Sequence, residues 1–184
     1  MKKICIEYLY KKYVLDNIII QQDIEQTIAV RGCHVVPKTI KRKFNHLMFY
    51  YPEYAFIFFW RVRSTKWMRH RFTKDFHCKI FESTLVDGGL MCYHPFASVI
   101  NAKSIGKNFE FRNGLTIGNK SNDNRKLPTI GNDVVVGANV VIIGDITIGD
   151  NVIIGAGSVV VKDVPSNTII AGNPAKIIQS QENG

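Results

Sequence analysis

From Ile130 onward the apolar residues recur every six positions. The chain divides into IGNDVV, VGANVV, IIGDIT, IGDNVI, IGAGSV and VVKDVP, led by Ile130, Val136, Ile142, Ile148, Ile154 and Val160. Every lead is a β-branched aliphatic, four of the six hexads place Gly second, and the fifth residue is Val, Ile or Ser. An upstream block keeps the period through Val99, Ile105, Phe111 and Ile117, and a weaker one runs through Ile80, Val86 and Cys92. Alternating strands of a sandwich would show a period of two with turns every ~8–12 residues. A strict period of six instead predicts a triangular coil with one hexad per side and the lead residue pointing inward. Stacking such coils buries a continuous aliphatic column, so the unit is stable only as an array. Gly and Asn between the sides are expected to serve as corners, because both tolerate positive φ. The pattern therefore predicts a mainly β fold, a left-handed parallel β-helix over residues 76–178.

Two places break the register. One extra residue falls between Cys92 and Val99, and a polar loop, Asn119–Thr129, shifts the phase before Ile130. A regular solenoid gains nothing from such an excursion, and loops of this kind are often functional. Past Val160, Pro165 and Pro174 end strand continuation. The segment around them is expected to cap the open end, with a flexible tail over 179–184.

Residues 1–75 read differently. Tyr8–Gln26 and Val36–Tyr51 carry apolar residues at helical spacing, and Pro52 suits the first turn of a helix over Glu53–Arg63. Gly32 and Pro37 punctuate the connection. This stretch is expected to form a small helical subdomain packed on the first coil.

Charge changes the picture for this first part. The 184-residue chain has a formal net charge of +9. Residues 1–79 hold 16 Lys and Arg against 6 Asp and Glu, whereas the remainder is nearly balanced. A basic segment interleaved with Tyr50, Tyr51, Phe56, Phe58, Phe59, Trp60 and Trp67 suits either a solvated helical cap or peripheral contact with a membrane surface. No nucleic-acid motif accompanies the charge, so nucleic acid is not expected as a partner. The longest apolar run, Tyr54–Trp60, is too short to span a bilayer, and the N-terminus does not read as a signal peptide. Four widely spaced cysteines, with no C-x-x-C pair, argue against a zinc cluster or disulfide scaffold. They favour a reducing cytoplasmic location, extending to the inner face of the membrane.

Among candidate chemical residues, His94 is the one histidine inside the repeat; His34, His46, His70 and His77 precede the first coil. It stands immediately before the first register break. Imidazole suits proton transfer near neutral pH, and Asp87 and Glu82 are the nearest upstream acids that would orient it. A carbonic-anhydrase-like zinc site would need three histidines, so no metal is expected.

The repeats, together with Val159–Pro165 and Ala171–Lys176, resemble the hexapeptide-repeat acyltransferases. Within them, Gly89-Leu90-Met91-Cys92-Tyr93-His94 and Phe111–Gly118 resemble the serine acetyltransferase branch. The resemblance covers about residues 79–178. It implies an acetyl-CoA-dependent O-acetyltransferase with His94 as general base, working as a homotrimer, with the pairing of trimers into hexamers left open. Acetyl-CoA as cosubstrate would lie in a groove near Asn119, Lys120, Ala138, Ala156, Lys162 and Lys176. Tyr93, Arg125 and Lys126 would face the acceptor. The branch carries Asp before its histidine where this chain has Tyr93, and an Arg-His pair where it has Lys126-Leu127. An acid expected one coil earlier is replaced by Lys79. These departures favour a sugar hydroxyl of a surface polysaccharide or its precursor over L-serine. Serine acetylation and a noncatalytic scaffold in glycan assembly remain the alternatives.

Overall fold

A computed structural model describes residues 2–32 and 38–180 of the chain. The chain divides into two compact units. One is helical and comprises the residues up to Asp75 together with Gly88–Met91; the other holds Phe76–Asp87 and everything from Cys92.

In the helical unit, α1 (Lys2–Leu9), a π-helical stretch (Tyr10–Val14), α2 (Ile18–Val30), α3 (Ile40–Tyr50) and α4 (Pro52–Arg61) precede a 3₁₀ segment, Arg63–Arg71. The helical stretch expected over Tyr8–Gln26 is thus divided between successive helices. Asn17 leaves the helical conformation and its side chain accepts from the Ile20 amide at 3.1 Å. That cap satisfies a donor left free at the start of α2. Thr39 does the same for α3 through the Arg42 amide. Pro52 opens α4 as expected, and α4 ends at Arg61, before the anticipated Arg63. The expected helix start at Val36 and the break at Pro37 lie outside the described residues.

Phe44, Tyr54, Phe58 and Phe59 centre the core with Leu9, Ile24 and Leu47, all at most 2% exposed. Their rings meet edge-on or tilted, 5.2–6.3 Å between centroids, a geometry that places ring edges against faces. This corrects the surface role expected for the aromatic run. Phe56, Phe58 and Phe59 are buried, while Tyr50 and Trp67 are exposed. A run apolar on every helical face buries on every face. Among the described residues, no helix is long and apolar enough to cross a membrane.

Inside this unit Asp23, 1% exposed, accepts from Arg61 Nε at 2.9 Å and Nη2 at 3.1 Å. Its Oδ1 also accepts from the amides of Gly89 and Leu90, both at 2.8 Å. Burial pushes the Asp23 carboxyl up from its ordinary range, against the pull of Arg61 and these two amides.

The second unit is the expected parallel β-helix, with three faces built from strands of two or three residues for most of its length. Each inward column follows from register. Face A stacks Ile80, Ile100, Ile117, Ile142 and Val160. Face B stacks Val86, Ile105, Ile130 and Ile148. Face C continues Phe111, Val136, Ile154 and Ile170, and the strand Met91–Tyr93 lies beside Glu110–Arg112. The fifth hexad residues Val134, Val140, Val152 and Ser158 also point inward, fully buried. Each side therefore buries two residues separated by one, the period of a strand.

One lead position was misplaced. Val99 is 42% exposed and Ile100 is the inward residue. The step from Cys92 is eight and the next, to Ile105, is five. The turn after His94 takes the extra residues, with His94 at φ 47° and Ala97 at φ 53°. The second-position glycines also serve another purpose than expected. The positive-φ corners are chiefly Asn and Asp: Asn108, Asp133, Asn139, Asn151 and Asn167. Gly137, by contrast, is not at positive φ; a Cβ there would sit 2.6 Å from the Ala156 amide of the next coil. Its hydrogen atom sets the spacing between coils.

At the C-terminal end Thr168–Gly172 and Ala175–Ser180 form an antiparallel pair across a turn at Asn173-Pro174. Gln179 and Ser180, expected in a flexible tail, belong to this pair, and residues 181–184 lie outside the described residues. Gln179 and Ser180 are paired with Ile169 and Thr168, because the pair supplies their backbone groups with partners.

Candidate active site

The faces meet at three edges, and the candidate residues fall on two of them. His94 ends face C and is exposed at the C–A edge. That edge is stitched coil to coil. The Ala97 amide donates to Phe76 O, Gly114 to Phe96 O, Asn139 to Asn113 O, and Gly157 to Ala138 O, at 2.8–3.2 Å. Ala138 and Ala156 therefore stand on the same edge as His94, on later coils, Ala138 half-buried and Ala156 exposed. The chain enters face C at Cys92 directly from the Gly88–Met91 segment held by Asp23. Gly89 takes φ 87° in that segment, a conformation open to Gly at little cost.

The second group follows face A, at the A–B edge, except Lys176, which lies on the Ala175–Ser180 strand that extends face C. Lys120 and Lys126 line an open cleft of about 700 Å³ with Ile143, Gly144 and Val161. Lys162 and Lys176 line another, of about 550 Å³, together with Val161, Pro165 and Pro174. The clefts adjoin at Val161. Four of the residues expected near the cosubstrate or acceptor thus border these two clefts, with Asp145 lining the first and Asp163 the second. Asn119 donates to Asn124 Oδ1 at 2.6 Å, bracing the base of the loop. Arg125 is 90% exposed and its guanidinium grips Asp123 at 3.0 and 3.1 Å. The Arg125 hydrogen bonds hold the Asp123 carboxyl below its ordinary range, so Arg125 shapes the loop.

The acids expected to orient His94 stand elsewhere. Glu82 follows face A and Asp87 follows face B, so each occupies a different edge from His94. Spacing along a triangular coil moves the chain to a new edge about every six residues, which explains the miss. Three residues at the C–A edge escaped the sequence reading. His77, exposed with φ 48°, sits one coil before Ala97, so His94 is not the sole histidine on its edge. Arg112 places its guanidinium 5.1 Å from the centroid of the Tyr93 ring, and Glu110, buried, accepts from Arg112 Nη2 at 3.4 Å. The signal for Arg112 was available: Cys92 and Phe111 are both lead residues, so the residues after them are neighbours.

The family model described as "Bacterial transferase hexapeptide (six repeats)" matches residues 128–162. The putative colanic acid biosynthesis acetyltransferase WcaB of Escherichia coli (strain K12) is 50% identical over 86 residues, which are 46% of this chain and 53% of that protein. Serine acetyltransferase 1, chloroplastic, of Arabidopsis thaliana is 38% identical over 119 residues, 63% of this chain and 38% of that one. The crystal structure of Neisseria gonorrhoeae serine acetyltransferase superposes with a TM-score of 0.71 at 25% identity, covering 96% of this chain and 71% of that one. The chain is thus similar to hexapeptide-repeat acetyltransferases and, in fold, to serine acetyltransferases. The matched region spans about half the length of the colanic acid relative.

Proposed function

We propose that the chain is an acetyl-CoA-dependent O-acetyltransferase in which His94 is the general base and the acceptor is a sugar hydroxyl of a surface polysaccharide or its precursor. The observation that carries this reading is His94 exposed at the end of face C, on one edge with the small residues Ala138 and Ala156. A ring nitrogen of His94 takes the acceptor proton as its oxygen attacks the thioester carbonyl. The tetrahedral intermediate then collapses, the C–S bond breaks, and the imidazolium returns the proton to the CoA sulfur. Small side chains at 138 and 156 leave room for a pantetheine arm along the edge, while Asn119, Lys120, Lys162 and Lys176 suit its phosphates. Tyr93 and Lys126 face the acceptor in this reading, and the Asp123-bound Arg125 shapes their loop.

The two groups occupy different edges of one prism, so a complete site needs the basic edge of a second copy beside the histidine edge of the first. Three-sided packing of three copies satisfies this for every chain, which supports a homotrimer. The similarity to a colanic acid acetyltransferase supports a glycan acceptor, as do Tyr93 and Lys79 at positions where the serine branch places acids. Exposed Trp67 and Tyr50 on the basic helical unit suit peripheral contact with a membrane carrying such acceptors.

The test is thiol release from acetyl-CoA over a panel of oligosaccharides and L-serine. Transfer to a sugar, reduced at least ~100-fold in kcat by His94→Asn with unchanged melting, is expected for loss of a general base. Asn tolerates the positive φ. Turnover on L-serine alone would instead establish the serine reading, and absence of any acetyl transfer the scaffold reading.

A further inference from the structure

The acceptor end of the site carries a guanidinium that nothing in the proposed chemistry yet uses. Arg112 is outward on face C, its side chain 50% exposed, while Phe111 beside it is buried at 0%. Its guanidinium lies over the ring of Tyr93, the residue peptide-bonded to His94. One nitrogen, Nη2, reaches the buried carboxylate of Glu110 at 3.4 Å. The ring below and the carboxylate at one corner restrain the plane of the guanidinium, the part of arginine's freedom that costs most to lose on binding. A guanidinium offers five N–H donors, and Glu110 engages it at one nitrogen.

From this arrangement we infer that the acceptor is an anionic sugar, whose carboxylate or phosphate is received by Arg112 while its hydroxyl lies at His94. This rests on the sugar-acetyltransferase reading above and narrows it. A planar fork held at one end of the site fixes where the negative group lies, and so which hydroxyl meets the imidazole. A charged group on the acceptor is selected because a neutral sugar leaves the fork to water alone.

Glucuronic acid, glucose 1-phosphate and glucose serve as probes, their binding to the full chain measured by ligand-observed NMR. The same distinction is then followed in acetyl transfer to a uronic-acid-bearing oligosaccharide and its carboxyl-reduced counterpart. At least one anionic probe should bind at least ~10-fold more tightly than glucose, the scale of one charge-assisted contact. The carboxylate and phosphate arms identify which anion fits. Arg112→Gln should bring the ratio of anionic to neutral binding close to one, Arg112→Lys should restore part of it, and Tyr93→Leu should weaken it through loss of the supporting ring. Equal binding of all three probes to the unaltered protein, or a preference that survives Arg112→Gln at unchanged melting temperature, overturns the inference. Efficient transfer to neutral sugars without preference would do so while leaving the acetyltransferase reading intact; turnover on serine alone would remove that reading itself.

Discussion

Replacing Arg61 by Ala removes the guanidinium that faces the buried Asp23. In the folded chain the Asp23 side chain is 2% exposed and that of Arg61 is 10% exposed. Removing the guanidinium leaves a carboxylate in the core with two backbone amides as donors and no counter-charge. An uncompensated buried charge of this kind costs about 3–5 kcal/mol. The carboxylate has one escape, which is to bind a proton. Neutralising a group whose ordinary pKa is 3.8 costs about 4 kcal/mol at pH 7 and about 1.6 kcal/mol at pH 5, at ~1.4 kcal/mol per pH unit. The penalty is therefore capped near 4 kcal/mol at neutral pH and shrinks as the solution is acidified. The sign follows from linkage. Loss of Arg61 raises the Asp23 pKa further in the folded state, so the folded variant holds a proton that the unfolded chain has released. Stability is then lost as pH rises through the window between the unfolded and folded values. Urea unfolding followed by helical circular dichroism, at pH 5 and pH 7, measures both numbers. We expect Arg61→Ala to cost about 3–4 kcal/mol at pH 7 and at least ~1 kcal/mol less at pH 5. Amide exchange at Gly89 and Leu90 should stay slow, because protonated Asp23 still accepts. A cost below ~1 kcal/mol, or one equal at both pH values, would mean that no net charge is buried there and would refute the reasoning.

Two further expectations test the β-helix and its loop. Gly137→Ala should destabilise the chain by about 1–3 kcal/mol, since the added carbon meets the Ala156 amide at 2.6 Å and the coils cannot both keep their register; an unchanged thermal transition would show that the coil spacing is not set there. The Asp123–Arg125 grip lowers the Asp123 pKa, so its contribution is present above the ordinary carboxylate value and is lost as pH falls through the lowered one; an NMR titration of the Asp123 carboxyl should find its midpoint below 3.8, and Arg125→Gln should raise it toward the ordinary value while the backbone amide of residue 125 and Lys126 keep part of the shift.

Most of the β-helix was legible because the inward residue of each side is also the strongest sequence signal. Ile130, Val136, Ile142, Ile148 and Ile154 are leads in the pattern and buried columns in the fold. Where the period slipped, at Val99, the alternation of a strand admitted either neighbour, and the length of the turn after His94 decided it. Helix boundaries around Asn17 were harder. The apolar residues on both sides keep helical spacing, and the break is made by one side-chain oxygen on the Ile20 amide. The candidate site stands out in the sequence only in part. His94 and the Asn119–Thr129 loop announce themselves by interrupting the repeat. Asp23, Glu110 and Arg112 do not, because their significance lies in partners 66, 2 and 19 residues away along the chain, read from Gly89, Arg112 and Tyr93.

The period of six also explains why a residue search along the chain misassigns acids to a histidine. In a helix a residue three or four positions away is a neighbour; in a three-sided coil the neighbours are one full turn away, about 18 residues. Glu82 and Asp87 are too close in sequence to be on the same edge as His94, whereas His77 and Arg112, at separations of 17 and 18, belong to it. Applied to the basic residues, the same counting puts Lys126 and Lys162 on a different edge from His94. A chemistry that needs both the imidazole and those cations cannot be completed by rotating side chains within one chain. In the proposed trimer a second chain completes it, so substitutions at His94 and at Lys126 on different copies should complement each other in mixed assemblies.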